Sequence, residues 1–246
     1  MKIISLNINK GRPNLDRQIS FLRGQGAGLI FLQEVLEYQV AIFKKQLGCE
    51  AYWGQMSQSY DLGEGLRGNL ILSAKPLTSV CVHDLGSFDQ ERIRSSRYEN
   101  LNISLVSGYC EDLGCVVACT HLPWSETSEV DGVQCKALGQ LNMKIVDERL
   151  ALIGLDVNSA RVLPNGLEGE IWRDLSSVLT DGVPLEIEST IDPEHHWLNN
   201  GPIKVKNVID GLFFNPRVVK VVSLTKSTGL SDHCALVAYV EAVNAK

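Results

Sequence analysis

The chain opens with an alternating stretch, Lys2 to Ile8, that predicts a β-strand running into the polar Asn7-Ile8-Asn9-Lys10-Gly11. Asn14 can cap a helix whose Leu15, Ile19 and Leu22 keep helical spacing, and Gly24 and Gly26 stop it. Leu29 to Leu32 is a short, continuously apolar strand ending at Gln33-Glu34. These three elements predict a β-α-β unit with two parallel strands. A second helix, Tyr38 to Leu47, stops at Gly48 before a strand at Ala51-Tyr52-Trp53.

Gln55 to Leu66 reads as a polar, glycine-containing loop. Four β-type segments follow at Gly68 to Ala74, Thr78 to Leu85, Leu101 to Ser107 and Cys115 to Thr120. Their mostly short connections, two of them with turn residues, predict antiparallel neighbours. A long amphipathic helix is predicted from Val133 to Leu150, with Ala137, Leu141, Ile145 and Leu150 along one face. Ala151 to Leu155 is again an apolar strand, and Trp172 to Leu179 a short helix. Asp181 to Pro202 reads as mostly irregular. Strands carrying Asp210, then Val218 to Leu224, then Cys234 to Val240 complete the pattern, with no internal repeat.

Composition narrows the class. The 246 residues are 44% hydrophobic and 21% charged, which suits a globular chain with a sizeable core, read here as a single domain over 1–246. No apolar run approaches the roughly 20 residues of a membrane span, and no signal peptide precedes the first strand. Seven cysteines, an odd count mostly within β-type runs, predict reduced thiols and a cytoplasmic protein. Cys110, Cys115 and Cys119 have a spacing that invites zinc, but their places in and beside strands favour buried thiols. A net charge of -6 with a pI near 5.4 disfavours sequence-blind adhesion to nucleic acid, while leaving open a nucleic-acid substrate reached through a metal and a local basic patch.

The chemistry sits at strand ends. Asn7, Asn9, Glu34, His121, Asp156 and Asn158 each fall at or just past the carboxyl end of a predicted strand, where α/β folds gather ligands. Asp210 lies inside an apolar strand, and a buried carboxylate there needs a partner; His233, beside Asp232 ahead of the last strand, is the natural one. The combined set is rich in carboxylate and amide oxygens, a donor chemistry suited to Mg²⁺ or Mn²⁺.

Seven motifs in order resemble the endonuclease/exonuclease/phosphatase superfamily of Mg²⁺-dependent phosphoesterases. They are Ser5-Leu6-Asn7-Ile8-Asn9, Leu32-Gln33-Glu34, Arg67 to Ser73, Thr120-His121-Leu122, Leu155-Asp156-Val157-Asn158, Ile209 to Phe213 and Ser231-Asp232-His233. In two places the chain departs from the family pattern. Leu155 stands where the family usually has Gly before the aspartate, with Gly154 displaced by one. Asn9 stands where many members carry Asp.

The resemblance implies a four-layer α/β sandwich, two mixed, mainly antiparallel sheets packed face to face with helices outside. It implies Glu34, Asn9 and Asp232 as metal ligands, Asp156 as the group that orients or deprotonates the attacking water, and Asn158 as a holder of that water or of a phosphate oxygen. His233, fixed by Asp210, and His121 would contact the phosphate. Asn7, Arg92 and Trp124 are the expected substrate-side supports, and Arg67, Arg94, Arg97, Lys10 and Arg12 could extend a phosphate-tracking patch. His195-His196-Trp197 is open to either a substrate-facing or a surface role. The expected activity is metal-dependent hydrolysis of a phosphodiester, nucleic acid or nucleotide favoured, by in-line attack of water, with a monomer as default. The alternatives are a small or lipid-derived phosphoester as substrate, or a catalytically silent binding domain on the same scaffold.

Overall fold

The structure is a computed structural model that describes residues 1–59, 65–89, 98–123, 132–163, 165–195 and 207–243. Within them lie twelve strands and four α-helices. The chain begins with β1 (Lys2–Asn7), a 3₁₀ turn at Asn9–Gly11, α1 (Leu15–Gln25), β2 (Leu29–Leu36) and α2 (Glu37–Leu47). β3 (Glu50–Ser59), β4 (Gly65–Ser73), β5 (Thr78–Asp89), β6 (Tyr98–Cys110) and β7 (Cys115–His121) follow. The rest is α3 (Gly132–Asp147), β8 (Leu150–Asp156), α4 (Glu170–Ser176), β9 (Thr180–Asp181), β10 (Asp210–Phe214), β11 (Val219–Ser227) and β12 (Ala235–Ala242).

The strands form two six-stranded layers, β11-β12-β1-β2-β4-β3 and β5-β6-β7-β8-β10-β9, joined where Ser57 and Ser59 of β3 pair with Leu101 and Tyr98 of β6. Pairing is antiparallel except for β1 with β2 and β7 with β8. Each parallel pair is bridged by a helix, as such crossovers require. The first is the β-α-β unit read from the sequence. Asn14 accepts the Arg17 N–H at the start of α1, and Gly26 ends it in the left-handed region at φ 59°.

Period-two alternation sorts β1, and β2 as far as Leu32, cleanly. Ile3, Leu29 and Phe31 face the second sheet and join the main core, with Leu105, Val117 and Leu152. Ile4, Leu6, Ile30 and Leu32 face outward and bury Ile19 and Leu22 of α1 and Phe43 of α2. Ala137, Leu138, Leu141 and Ile145 of α3 and Trp172 of α4 pack into the main core with the second sheet. The result is the four-layer sandwich expected.

Several boundaries differ from expectation. Gln55 to Ser59 and Gly65 to Leu66 are paired strand rather than loop, with a register shift between Gln55 and Ser57. β4 and β5, expected as neighbours, belong to different sheets, because the short link through Pro76 carries the chain across the sandwich. Leu150 belongs to β8, since Arg149 adopts φ 54° and ends the helical turn before it. Gly154 and Asp156 share a face of β8. A Cβ on Gly154 would lie 2.6 Å from Phe31 of the opposite sheet, so the displaced glycine is where the sheets need close approach. Cys110, Cys115, Cys119 and Cys234 are buried free thiols. No helix among the described residues is long and apolar enough to cross a membrane.

Candidate active site

At one end of the sandwich the inner faces turn polar. Asp156, at the carboxyl end of β8 and fully buried, is the hub. Its Oδ2 accepts Asn7 Nδ2 of the opposite sheet at 2.8 Å, and its Oδ1 accepts the Asn158 backbone N–H at 2.9 Å. His121 Nε2 lies 3.4 Å and His233 Nε2 3.8 Å from the same Oδ2. On its other side His233 Nδ1 donates to the Asp210 carboxylate, whose two oxygens are each 3.0 Å away. The Asp210–His233 partnership predicted from sequence is therefore formed, and both residues are buried.

Loop anchors hold these groups in place. Thr190 Oγ1 accepts the backbone N–H groups of Ile209 and Asp210, fixing the start of β10. Ile191 bridges to His233, and the Asp192 N–H donates to the Asp232 carbonyl. The fully buried Asp192 also accepts the Gly229 N–H at 2.6 Å and His195 Nδ1–H at 2.8 Å. His195 thus braces the frame behind the Asp232–His233 loop. His196, Trp197, Arg92, Arg94, Arg97 and Trp124 lie outside the described residues.

The Asn9 turn is anchored from the helices. Gln18 of α1, fully buried, donates through Nε2 to the carbonyls of Ile8, Arg12 and Leu230. Gln39 of α2 donates to the Lys10 carbonyl at 2.8 Å and accepts the Leu36 N–H. Asn7 Oδ1 accepts the Asn9 N–H at 2.9 Å. Sequence reading missed both glutamines; the available signal was a glutamine at a core-facing position of an amphipathic helix.

Glu34 sits in a bulge of β2, where the register against β4 shifts between Leu32 and Val35. Its Oε1 lies 2.9 Å from Arg67 Nη1, and the Arg67 side chain is only 4% exposed. The sequence offers Arg67 to a phosphate-tracking patch beside the site; the structure buries it against Glu34. Arg12, by contrast, is exposed. Among the described residues six non-glycine positions have positive φ, and four of them are Asn9, Lys10, Glu34 and Asn158. Such conformations cost free energy and collect where geometry serves chemistry.

Charge states follow from these neighbours. Burial pushes the Glu34 carboxyl up, but Arg67, His121, His233 and Lys10 outweigh it and bring it down to about 2. Burial lowers His121, overriding the Asp156 and Glu34 carboxylates and favouring the neutral ring. Asn158 Nδ2 contacts its Nε2 and also donates to the Leu122 carbonyl at 2.8 Å. Burial also presses on His233, yet Asp210 and Asp156 together raise it well above the usual imidazole range. Asp156 is raised by burial despite the opposing pull of His121 and His233.

The donor set suits a hard divalent cation. Carboxylates and amide oxygens line this end of the sandwich, while the nearby Cys119 thiol is pushed up to about 12 by burial and so stays protonated. Among the described residues, Asp156, Asp210 and His233 bring ligand atoms within 4.8 Å of one another. That trio is not the metal set expected from sequence. A proton on His233 and a cation in its place exclude each other, and the double contact to Asp210 favours the proton. Glu34 is ionised and stands outside the trio. Asn9 lies on the turn beside it, where the Ile8 N–H donates to the Gln33 carbonyl. Asp232 is half-buried, with its Oδ1 accepting Ser231 Oγ–H at 3.0 Å.

A profile of the endonuclease/exonuclease/phosphatase family matches residues 4–233. Among solved structures, the chain resembles an endonuclease/exonuclease/phosphatase from Beutenbergia cavernae, with 17% identity and a TM-score of 0.74 over 98% of this chain and 71% of that one. It also resembles the human nocturnin catalytic domain, which was solved with a bound sulfate anion; identity is 15% and TM-score 0.63 over 99% and 94%. TDP2 from Caenorhabditis elegans aligns at 19% identity and a TM-score of 0.64 over 99% and 74%. A search of curated proteins found no match.

Proposed function

The chain belongs to the endonuclease/exonuclease/phosphatase family, and from that premise we propose that it hydrolyses a phosphodiester, in nucleic acid or a nucleotide, by in-line attack of water at the Asp156 site. The observation that carries this reading is the buried chain Asp210–His233–Asp156–Asn7, which crosses from one sheet to the other where the strands end.

Asp156 is the general base. An ordinary aspartate is too weak a base for this task, and burial raises this one towards a useful range. Asn7 and the Asn158 N–H each occupy one of its oxygens and fix the carboxylate plane. The His233 imidazolium, oriented through Nδ1 by Asp210, presents Nε2–H to the phosphoryl oxygen that gains charge in the pentacoordinate transition state. His121 and Asn158, linked to one another, line the same wall and position the phosphate. Held by Glu34, with Asn9 and Asp232 as further ligands, a divalent cation would polarise the phosphoryl group and stabilise the leaving oxygen. The sulfate-bound nocturnin domain supports a tetrahedral-anion ligand for this fold.

A second reading, a small or lipid-derived phosphoester as substrate, draws on the net charge of -6, which gives no general attraction to a polyanion. Hydrolysis of bis- against mono-p-nitrophenyl phosphate with Mg²⁺, Mn²⁺ or EDTA, followed by a panel of DNA, RNA, dinucleotides and inositol phosphates, separates the two. EDTA and Asp156→Ala should each abolish turnover, and His233→Ala should lower kcat with the fold retained. Activity indifferent to EDTA, or equal in Asp156→Ala, would sink the proposal.

A further inference from the structure

Strict alternation along β2 would place Glu34 on the same face as Ile30 and Leu32, beneath the helices. The bulge prevents this. One extra residue between Leu32 and Val35, with Glu34 at φ 58°, turns its side chain to the inner face, where Arg67 receives it. Arg67 is on the same face of β4 as Asn69 and Ile71, which point between the sheets. The Glu34–Arg67 pair is closest through Oε1, at 2.9 Å.

Resting on the phosphoesterase reading, we propose that Arg67 is a positioning residue: it locks the Glu34 carboxylate in the bulge, presented to the divalent cation. Two effects oppose one another. The guanidinium repels a cation, but its charge is already balanced by Glu34 at 2.9 Å. Without Arg67, the carboxylate of a residue in a strained bulge would be free to rotate, and loss of a ligand's outer partner typically weakens metal binding about 10- to 100-fold. Orientation therefore wins over repulsion.

The test is Mn²⁺ binding by electron paramagnetic resonance, with melting temperature recorded alongside, in wild type, Arg67→Met, Arg67→Lys and Glu34→Gln. Arg67→Met should bind Mn²⁺ about 10- to 100-fold more weakly, and Arg67→Lys should fall between it and wild type. In Arg67→Lys, saturating Mn²⁺ should restore kcat, which a merely structural defect would not allow. If Arg67→Met fails to fold, Arg67→Lys decides alone. Equal or tighter Mn²⁺ binding in the Arg67 variants, with Glu34→Gln weakened, overturns the Arg67 inference and leaves the phosphoesterase reading standing. Unchanged binding in Glu34→Gln removes Glu34 as a ligand, and the Arg67 role with it. A wild type that neither binds Mn²⁺ nor hydrolyses a phosphodiester defeats the functional reading itself.

Discussion

Asp210→Asn removes the charge from the Asp210–His233 pair while keeping a side chain of nearly the same shape. In the wild type, burial works against the proton on His233, and the Asp210 and Asp156 carboxylates hold it on. The two side chains are 4% and 7% exposed, so water screens little of their attraction. Breaking such a pair typically costs about 3–5 kcal/mol. The loss here should lie near the lower end. His233 can release its proton rather than remain a buried cation, and the Asn oxygen still accepts Nδ1–H. Urea unfolding at about pH 6 should therefore show a deficit of about 3 kcal/mol.

The pH dependence gives a sharper check. The folded value for His233 lies above its unfolded value, so its stabilisation is complete below the unfolded pKa of about 6.5 and fades as pH rises through the folded one. The gap between wild type and Asp210→Asn should narrow on the alkaline side. Proton NMR of the imidazole Cε1–H, assigned with His233→Gln among the five histidines, follows the proton directly. Wild-type His233 should titrate well above 6.5 and the variant distinctly lower. A wild-type midpoint at or below 6.5, or no change in the variant, would refute the reasoning.

Glu34 should behave oppositely in acid: its carboxyl is held at about 2 against 4.5 unfolded, so about 3 kcal/mol of stability present above pH 4.5 is lost as pH falls towards 2. Unfolding of the metal-free protein should show this slope, and Glu34→Gln should flatten it. Asn7→Ala removes a buried donor to Asp156 and the acceptor of the Asn9 N–H; a loss of about 1–3 kcal/mol is expected, with kcat reduced more than KM is raised. Gly154→Ala would press a methyl group onto Phe31, and thermal unfolding should report about 1–3 kcal/mol of destabilisation. A Gly154→Ala variant as stable as wild type would contradict the close approach of the two sheets.

Where the fold was legible, local chemistry and packing agreed. Asn14, Gly26 and Gly48 sit where caps are needed, and Ile4, Ile19, Leu22 and Ile30 form one buried layer as their spacing implied. The misread stretches had local signals that pointed elsewhere. The ends of β3 and β4 are polar, and a run of polar residues looks like a loop even where its backbone is paired. Arg149 makes its left-handed turn without the glycine that would announce it, so Leu150 continued a helical stripe on paper. Which sheet β5 joins is a long-range choice that no local pattern contains.

The site divides along the same line. The residue types are legible in the sequence, and the structure gathers them: Asp156, Asp210 and His233 come together, with Asn7, His121 and Asn158 bound to or beside them. What places them is written in irregularity. Glu34 reaches the inner face only because β2 breaks its own alternation, and Asn9 and Asn158 stand in backbone conformations that side chains seldom adopt. Alternation read strictly would have sent Glu34 under the helices, so the bulge could be expected only from a chemical reason for Glu34 to be inside. Its partner Arg67 was equally hidden, since an arginine near a polar hairpin reads as solvated until its side chain proves to be 4% exposed and paired. A residue that violates its local pattern and finds an opposite charge at hydrogen-bonding distance is therefore a stronger pointer to function here than its residue type alone.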